Sequence, residues 1–399
     1  MTGRPTRICL WGGGYSSRNV GDQAILISIT RLLRARLPDA DITVLARDPA
    51  LIKRYMAAEG LPVRAVNRWR QLASTIRALM QADLFIVGGG VPFYDDLSQV
   101  VLLVGYVVCA KLGGARAMTY ALSTQTLSHP LSRWAHKAVL NRMDAITARE
   151  PWTQEHLSAL GLRHPVVLTA DPVVTLIPAP SARVEEIFHQ EQIVLDPNRP
   201  LIGITTRHLT AQHSAGKHHY RRYSEADIRE WERCMAQAAD RLTGLGQVVF
   251  IPMNTAGLDN DWETISEVRR LMSRASDTAV ISHRYTAPET MGLIGRCAFL
   301  LGSRVHSVIM AAASTVPFVA VAYDRKLTGI ARRFHMGPHT HELVGLRGET
   351  LIASIDAAWD ERDKLRGQLK QHVGEFRAAA ERNADLAAAL CAATTADRG

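Results

Sequence analysis

Short apolar runs bounded by Gly, Pro or Asp alternate along the chain with stretches whose apolar positions recur every three or four residues. The rhythm is cleanest in the second half. "LIGITTR" (201–207), "QVVFIPM" (247–253), "TAVIS" (278–282), "CAFLLG" (297–302) and "PFVAVAY" (317–323) read as buried strands. Helical patterns fall between and after them at about 224–243, 261–274, 287–295, 305–314 and 325–335. Nearly continuous apolar strands alternating with helices predict a parallel sheet covered on both faces, a doubly wound α/β domain.

The first half repeats the scheme less regularly. Its candidate strands are "RICLW", "DITVLA", "PVRAV", "DLFIVG", "ARAMTYA", "DAITA" and "PVVLT". A segment near 178–200 with prolines at both ends reads as the connection between domains. An Ala-rich tail of mixed charge, about 349–392, predicts helix. The expected organisation is therefore two Rossmann-like domains, 1–185 and 186–348, followed by a C-terminal helical tail, 349–399. Two such domains face each other across a cleft, and ligands are expected at the C-terminal ends of the strands.

Composition narrows the class. A formal charge of +9, from 47 Lys and Arg against 38 Asp and Glu, favours acidic partners. The five cysteines (Cys9, Cys109, Cys234, Cys297, Cys391) have no paired spacing, which argues for reduced thiols and a cytoplasmic location. The apolar segment at the N-terminus is too short for a signal peptide, and "VVLLVGYVVCA" (100–110) is too short to span a bilayer and reads as a buried helix. Contact with the inner face of a membrane, at its periphery, is compatible with this composition. Basic residues do not interleave with aromatic ones, so nucleic acid is not an expected partner.

Candidate chemistry is concentrated at a few predicted strand ends. "WGGGYSSRNVGDQAIL" (11–26) runs from a strand through a glycine-rich loop into a helix, where Asn19 and Gly21 can approach an anion. It lacks the dinucleotide G-x-G-x-x-G spacing. Asp22 is either a first-turn acid favouring the helix dipole or a group facing ligand. "DLFIVGGGVPFYDD" (83–96) leaves Gly89 and Gly90 at a strand end. "DAITARE" (144–150) sets Arg149 and Glu150 after a strand, and "TADPVV" (169–174) gives Asp171 a turn-forming position. In "LGSRVHSVIM" (301–310), Gly302 and Ser303 supply a turn and an N-cap, with Arg304 and His306 at the start of a helix near Val305. Arg304 stays charged and would be hard to bury without an anion, while His306 can exchange a proton near neutral pH. "YDRK" (323–326) brings Lys326 to the next strand end. From Pro197 to Ser224 there is no acid, and Arg207 precedes a His- and Arg-rich loop that includes His213, Lys217, His218, His219, Arg221 and Arg222. No metal site is expected; "DND" (259–261) reads as a helix cap.

Together, in order and spacing over about residues 8–335, "GGGYSSRNVGDQAI", "GGG" (88–90), "TARE" (147–150), "ADP" (170–172) and "SRVHSVIMAAASTVPFVAVAYDRK" resemble the polysaccharide pyruvyl transferase family. The resemblance implies a GT-B-like pair of domains and no cofactor beyond the donor substrate, phosphoenolpyruvate. It further implies transfer to two hydroxyls of a glycan acceptor, free or lipid-linked, as a cyclic pyruvate ketal. Arg304 and Arg149 would then hold the donor's anionic groups, His306 would be the general acid, and Asp22 or Glu150 the base. The chain departs from the family at "ALSTQTLSHP" (121–130), where a Gly-Pro pattern is common. Two other readings share the scaffold: a GT-B glycosyltransferase using a nucleotide sugar, and a glycan-binding protein without catalysis.

Overall fold

The structure is a computed structural model and describes residues 4–398 apart from 13, 91–93, 210–222, 256 and 258. The chain begins with β1 (Arg7–Trp11), β2 (Asp41–Ala46), β3 (Arg64–Asn67), β4 (Leu84–Gly88) and β5 (Arg116–Tyr120). These pair in parallel in the order β3-β2-β1-β4-β5. The short β6 (Ile146–Ala148) and β7 (Val166–Leu168) pair with each other, and parallel bridges at Met118–Ala145 and Leu122–Ala148 tie them to the chain around β5. The second half contributes β8 (Leu201–Thr205), β9 (Gln247–Phe250), β10 (Thr278–Val280), β11 (Phe299–Gly302), β12 (Phe318–Ala322) and β13 (Thr340–Glu342). Their order is β10-β9-β8-β11-β12-β13, again parallel throughout. Every residue of β4, β8, β11 and β12 is buried, as expected of central strands covered by helices on both faces.

In each sheet the winding reverses once, between β1 and β4 in the first and between β8 and β11 in the second. Loops diverge at such a point and leave a crevice beyond the strand ends. The two crevices meet: the loops after β1 and β4 face those after β8 and β11.

Three local expectations change. The proline-bounded connection contains a helix, Ser181–Gln190, whose Val184, Ile187 and Phe188 are buried. β13, "THE", carries no apolar signal because it lies at the sheet edge. The helix Leu97–Leu112 is not buried all round: Val101 is 70% exposed and Leu112 75%. The expected loop positions His213, Lys217, His218, His219, Arg221 and Arg222 lie outside the described residues.

The tail forms two helices, Gly348–Asp360 and Arg362–Arg398. The second strides both halves. Arg377 donates to the carbonyls of Val174 and Ala313, and Glu381 and Asp385 pair with Arg36. Asn383, fully buried, holds the ends of β6 and β7 together, because its Oδ1 accepts from Thr147 Oγ1 (2.7 Å) and Thr169 Oγ1 (3.1 Å). A leucine there would remove that shared acceptor and leave the two hydroxyls only the Thr119 and Ala148 carbonyls, at 2.9 and 3.2 Å, and would also take away the Nδ2 donor to the Ala380 carbonyl. Asn383→Leu is expected to lose about 1–3 kcal/mol of stability by chemical denaturation.

Candidate functional site

The facing crevices form a cleft of about 300 Å³. One wall comes from the first half: Trp11, Gly14, Asn19, Asp22, Gly90 and Arg149, joined by Arg47 and Arg68. Arg207, Asp259, Arg304, His306, Tyr323 and Lys326 come from the second. Of the positions expected from sequence, Asn19, Asp22, Gly90, Arg149, Arg207, Arg304, His306 and Lys326 line the cleft, while Gly21, Gly89, Ser303 and Glu150 do not.

Gly21 acts one layer behind. Asn19 caps the helix Val20–Arg36 through Oδ1, which accepts from the Gly21 N–H at 2.9 Å. The His306 ring lies directly on Gly21, and a methyl group there would overlap the imidazole. The requirement is close packing across the two halves, not backbone freedom. Gly89 has φ of +56° and is packed on Ile25, so its glycine serves the turn after β4. Gly90, φ +80°, has open space beyond its Cα and forms part of the wall.

Ser303 is not the cap expected from sequence. The N-cap of the helix Val305–Ala313 is Arg304, whose side chain makes no capping bond. The Ser303 N–H instead continues the sheet to the Thr205 carbonyl, and Ser307 Oγ donates to the Arg304 carbonyl while accepting from Thr205 Oγ1.

Arg304 is buried, and its anion is internal. Its Nη1 and Nη2 reach both oxygens of Asp259 at 2.9 Å, while Nε and Nη2 contact Asp261. Burial opposes the charge on Arg304, but Asp261 and Asp259 outweigh it and raise its pKa. The "DND" segment therefore does more than cap. Asn260 caps the helix Asp261–Leu271, and the flanking acids neutralise an arginine. Asp261 also accepts from the backbone N–H groups of Met253 and Asn254, fixing the loop after β9.

Arg149 repeats the arrangement. Its Nε meets Glu150 at 3.2 Å and its Nη1 meets Asp171 at 2.5 Å, all three side chains being buried. Glu150 accepts from Ser123, Thr153 and Arg149 and faces none of the cleft, which removes it as a candidate base. Asp171 has the turn role expected, accepting from the Val173 N–H, and a second one: its Oδ2 lies 3.8 Å from His306 Nε2.

His306 is thus seated between Gly21 and Asp171 of one half while belonging to the other. Burial drives its pKa down to about 4; the Asp171 carboxylate opposes this, and Arg149, Lys326 and Arg304 add to it. The imidazolium expected from sequence is therefore not the resting form, and the free site holds a neutral ring. Asp22 moves the other way. Burial raises its pKa, offset in part by Ser17 Oγ, which donates at 2.7 Å, and by Arg149 and Arg304. Around these groups stand Lys326, 3.3 Å from Asp324, and Arg207, which stacks on Tyr323 with its carbon 4.0 Å from the ring centroid and meets Asp259 at 3.5 Å.

The residues missed from sequence are chiefly Arg47 and Arg68. Each follows a strand that was recognised, β2 and β3, so the strand-end rule itself was a usable signal. Arg68 is 3% exposed; among the described residues its Nε has no hydrogen-bond partner, and its guanidinium lies over the Trp11 and Trp69 rings. Burial, then the neighbouring Arg47, lower its pKa. Among the described residues no carboxylate pairs with either. The cleft thus carries both compensated cations, Arg304 and Arg149, and an uncompensated pair, Arg68 and Arg47, among the described residues.

A family model described as polysaccharide pyruvyl transferase matches residues 19–325. The amylovoran biosynthesis protein AmsJ of Erwinia amylovora is 20% identical over 406 aligned positions, covering 92% of this chain and 95% of AmsJ. Among solved structures, ADP-heptose lipopolysaccharide heptosyltransferase II of E. coli aligns with a TM-score of 0.51 at 14% identity, over 90% of this chain and 100% of that one. Anabaena Alr3699/HepE in complex with UDP aligns with a TM-score of 0.61 at 13% identity, over 97% and 100%. At such identities the likeness is one of fold, the GT-B pair of Rossmann-like domains.

The low pKa of His306 has a stability consequence. The folded value, about 4, lies below the ordinary 6.5, so the unfolded chain binds the extra proton between them. Stability is complete above about pH 6.5 and falls as pH drops toward 4. Denaturation curves across that range should show His306→Gln losing part of this acid dependence.

Proposed function

Because the chain belongs to the polysaccharide pyruvyl transferase family, we propose that it transfers the enolpyruvyl group of phosphoenolpyruvate to two hydroxyls of a glycan, forming a cyclic pyruvate ketal and releasing phosphate. The observation that carries this reading is His306, buried against Gly21 and Asp171 at the wall of a cleft that also presents Lys326 and Arg207. Phosphoenolpyruvate brings a phosphate and a carboxylate on neighbouring atoms. A helix start, a lysine and an arginine suit that pair of anions.

Arg304 and Arg149 act differently from the roles implied by resemblance alone. Each is already neutralised by two carboxylates, so each shapes the wall and sets the local potential. Direct contact with the donor falls to Lys326, Arg207 and the N–H groups that open the helix Val305–Ala313.

The neutral resting state of His306 fits a proton taken up with the donor. A phosphate dianion beside the ring favours the imidazolium, offsetting the burial that disfavours it. The proton passes from His306 to the methylene carbon of phosphoenolpyruvate, and a sugar hydroxyl bonds to the adjacent cationic carbon. Asp22, half-buried and with a raised pKa, takes the hydroxyl proton. The bond from that carbon to the phosphate oxygen breaks, phosphate departs, and the second hydroxyl closes the ring with loss of its own proton.

The sugar binds at the opposite end of the cleft, between Trp11, Tyr94, Gln125 and the Arg68–Arg47 pair. A flat indole and a buried guanidinium there suit an acceptor with an acidic group. AmsJ, by its printed name, serves the biosynthesis of amylovoran, and an exopolysaccharide or cell-wall glycan is the class of acceptor proposed here.

Phosphate release from phosphoenolpyruvate should depend on a glycan acceptor. His306→Gln is expected to lower kcat by about 10²-fold or more with little change in donor binding. Gly21→Ala, which drives the ring from its seat without touching substrate, should produce a loss of the same order. Unchanged turnover in both variants would remove the general-acid assignment. A nucleotide sugar that stabilises the protein thermally, where phosphoenolpyruvate does not, would favour glycosyl transfer instead.

A further inference from the structure

Ten of the fourteen large apolar side chains exposed among the described residues lie on adjoining elements of the first half. Leu72, Ile76 and Met80 form one stripe of the helix Leu72–Met80, with Trp69 just before it. Val101, Val104, Val108 and Leu112 form one stripe of Leu97–Leu112, and Leu131 and Trp134 stand on Pro130–Leu140. The three helices pack side by side, the middle one against both others. Such a patch is far from the scattered single apolar residues of an ordinary surface.

Charge on this face is one-sided. None of the three helices contains Asp or Glu, while Arg70, Arg77, Arg133 and Lys137 lie on or beside them. The nearest acids are taken up in local contacts: Asp95 accepts from the Ser128 and His129 N–H groups. Asp96 accepts from the Ser98 and Gln99 N–H groups, and Asp144 holds Lys111, Arg116 and the Ala117 N–H. Exposed tryptophan, aliphatic stripes and basic residues without acids are the combination that binds anionic lipid headgroups at the bilayer surface.

We propose that this face docks the protein on an anionic lipid bilayer, in the plane of the interface. A water-soluble partner would need its own apolar surface to match. A bilayer supplies both the apolar layer and the negative charge. No helix among the described residues is long and apolar enough to cross a membrane, and docking of this kind requires none. The face continues into the cleft: Gln99, on the middle helix, lines it, and Arg68 immediately precedes exposed Trp69. An acceptor held in the bilayer by a lipid would thus enter at the Arg68 end with its sugar leading. That last step rests on the proposed function; the docking does not.

Flotation of the full chain with vesicles of equal parts phosphatidylglycerol and phosphatidylcholine, against phosphatidylcholine alone, tests the proposal. Binding is expected to the anionic vesicles and to fall with salt. Val101→Glu with Leu112→Glu, both at highly exposed positions, should weaken binding at least about tenfold, with unchanged thermal stability. Arg77→Glu and Arg133→Glu should weaken it about fivefold each. Absence of vesicle binding, or full binding by the Val101→Glu/Leu112→Glu variant, overturns the proposal. Light scattering that shows a dimer dissolved by the same substitutions, without vesicle binding, would assign the face to a second copy of the chain. Phosphate release with a water-soluble glycan separates the two readings: its failure in the wild-type protein counts against the transferase, and its persistence in a variant that no longer floats supports the docking.

Discussion

Two buried guanidinium groups, Arg304 and Arg149, set the terms for everything else in the cleft. Removing a charge from water costs several kcal/mol unless it is paired and hydrogen-bonded, so each recruits carboxylates from distant loops. Asp259 and Asp261 come from the loop after β9, and Asp171 from the turn after β7. The pairing fixes four loops at the strand ends, and the backbone bonds of Asp261 and Asp171 extend that hold to the chain around them. Stripping away one partner would leave the other uncompensated, a loss on the order of 3–5 kcal/mol. A substitution of Arg304 therefore reports on folding before it reports on ligand.

With those charges satisfied internally, the electrostatics of the cleft depend on what is left. His306 sits among Arg149, Lys326 and Arg304, opposed by Asp171, and burial keeps it neutral. Asp22 is held toward its protonated form by burial. The resting site thus pairs an imidazole that lacks its proton with a carboxylate whose proton affinity burial has raised, and an incoming dianion would alter both. Polarity is also graded along the cleft. Compensated cations surround His306, whereas Arg68 is opposed by the neighbouring Arg47.

The architecture was legible because parallel central strands are continuous apolar runs, and β1, β2, β4, β8, β11 and β12 all announced themselves in this way. β13 did not, having only three partly exposed residues at an edge. The prolines around 178–200 concealed the helix Ser181–Gln190, since helices accommodate proline just before their first turn. The site was half legible. Arg304 and His306 stood out as polar groups at an apolar seam, but the partners of Arg304 lie far away in sequence and looked like helix caps. Likewise, Gly21 read as a loop glycine able to approach an anion, because nothing local shows that the His306 ring rests upon it. The apolar run 100–110 misled in the opposite direction: hydrophobicity on all sides suggests burial, yet one stripe of it faces outward.

The central claim is that His306 is neutral in the free protein and gains its proton with the donor. Isothermal titration of phosphoenolpyruvate near pH 7, in buffers of differing ionisation enthalpy, counts the protons taken up on binding. The account predicts uptake approaching one proton in the wild-type protein and its disappearance in His306→Gln. Binding without proton uptake, or equal uptake by the variant, would contradict it.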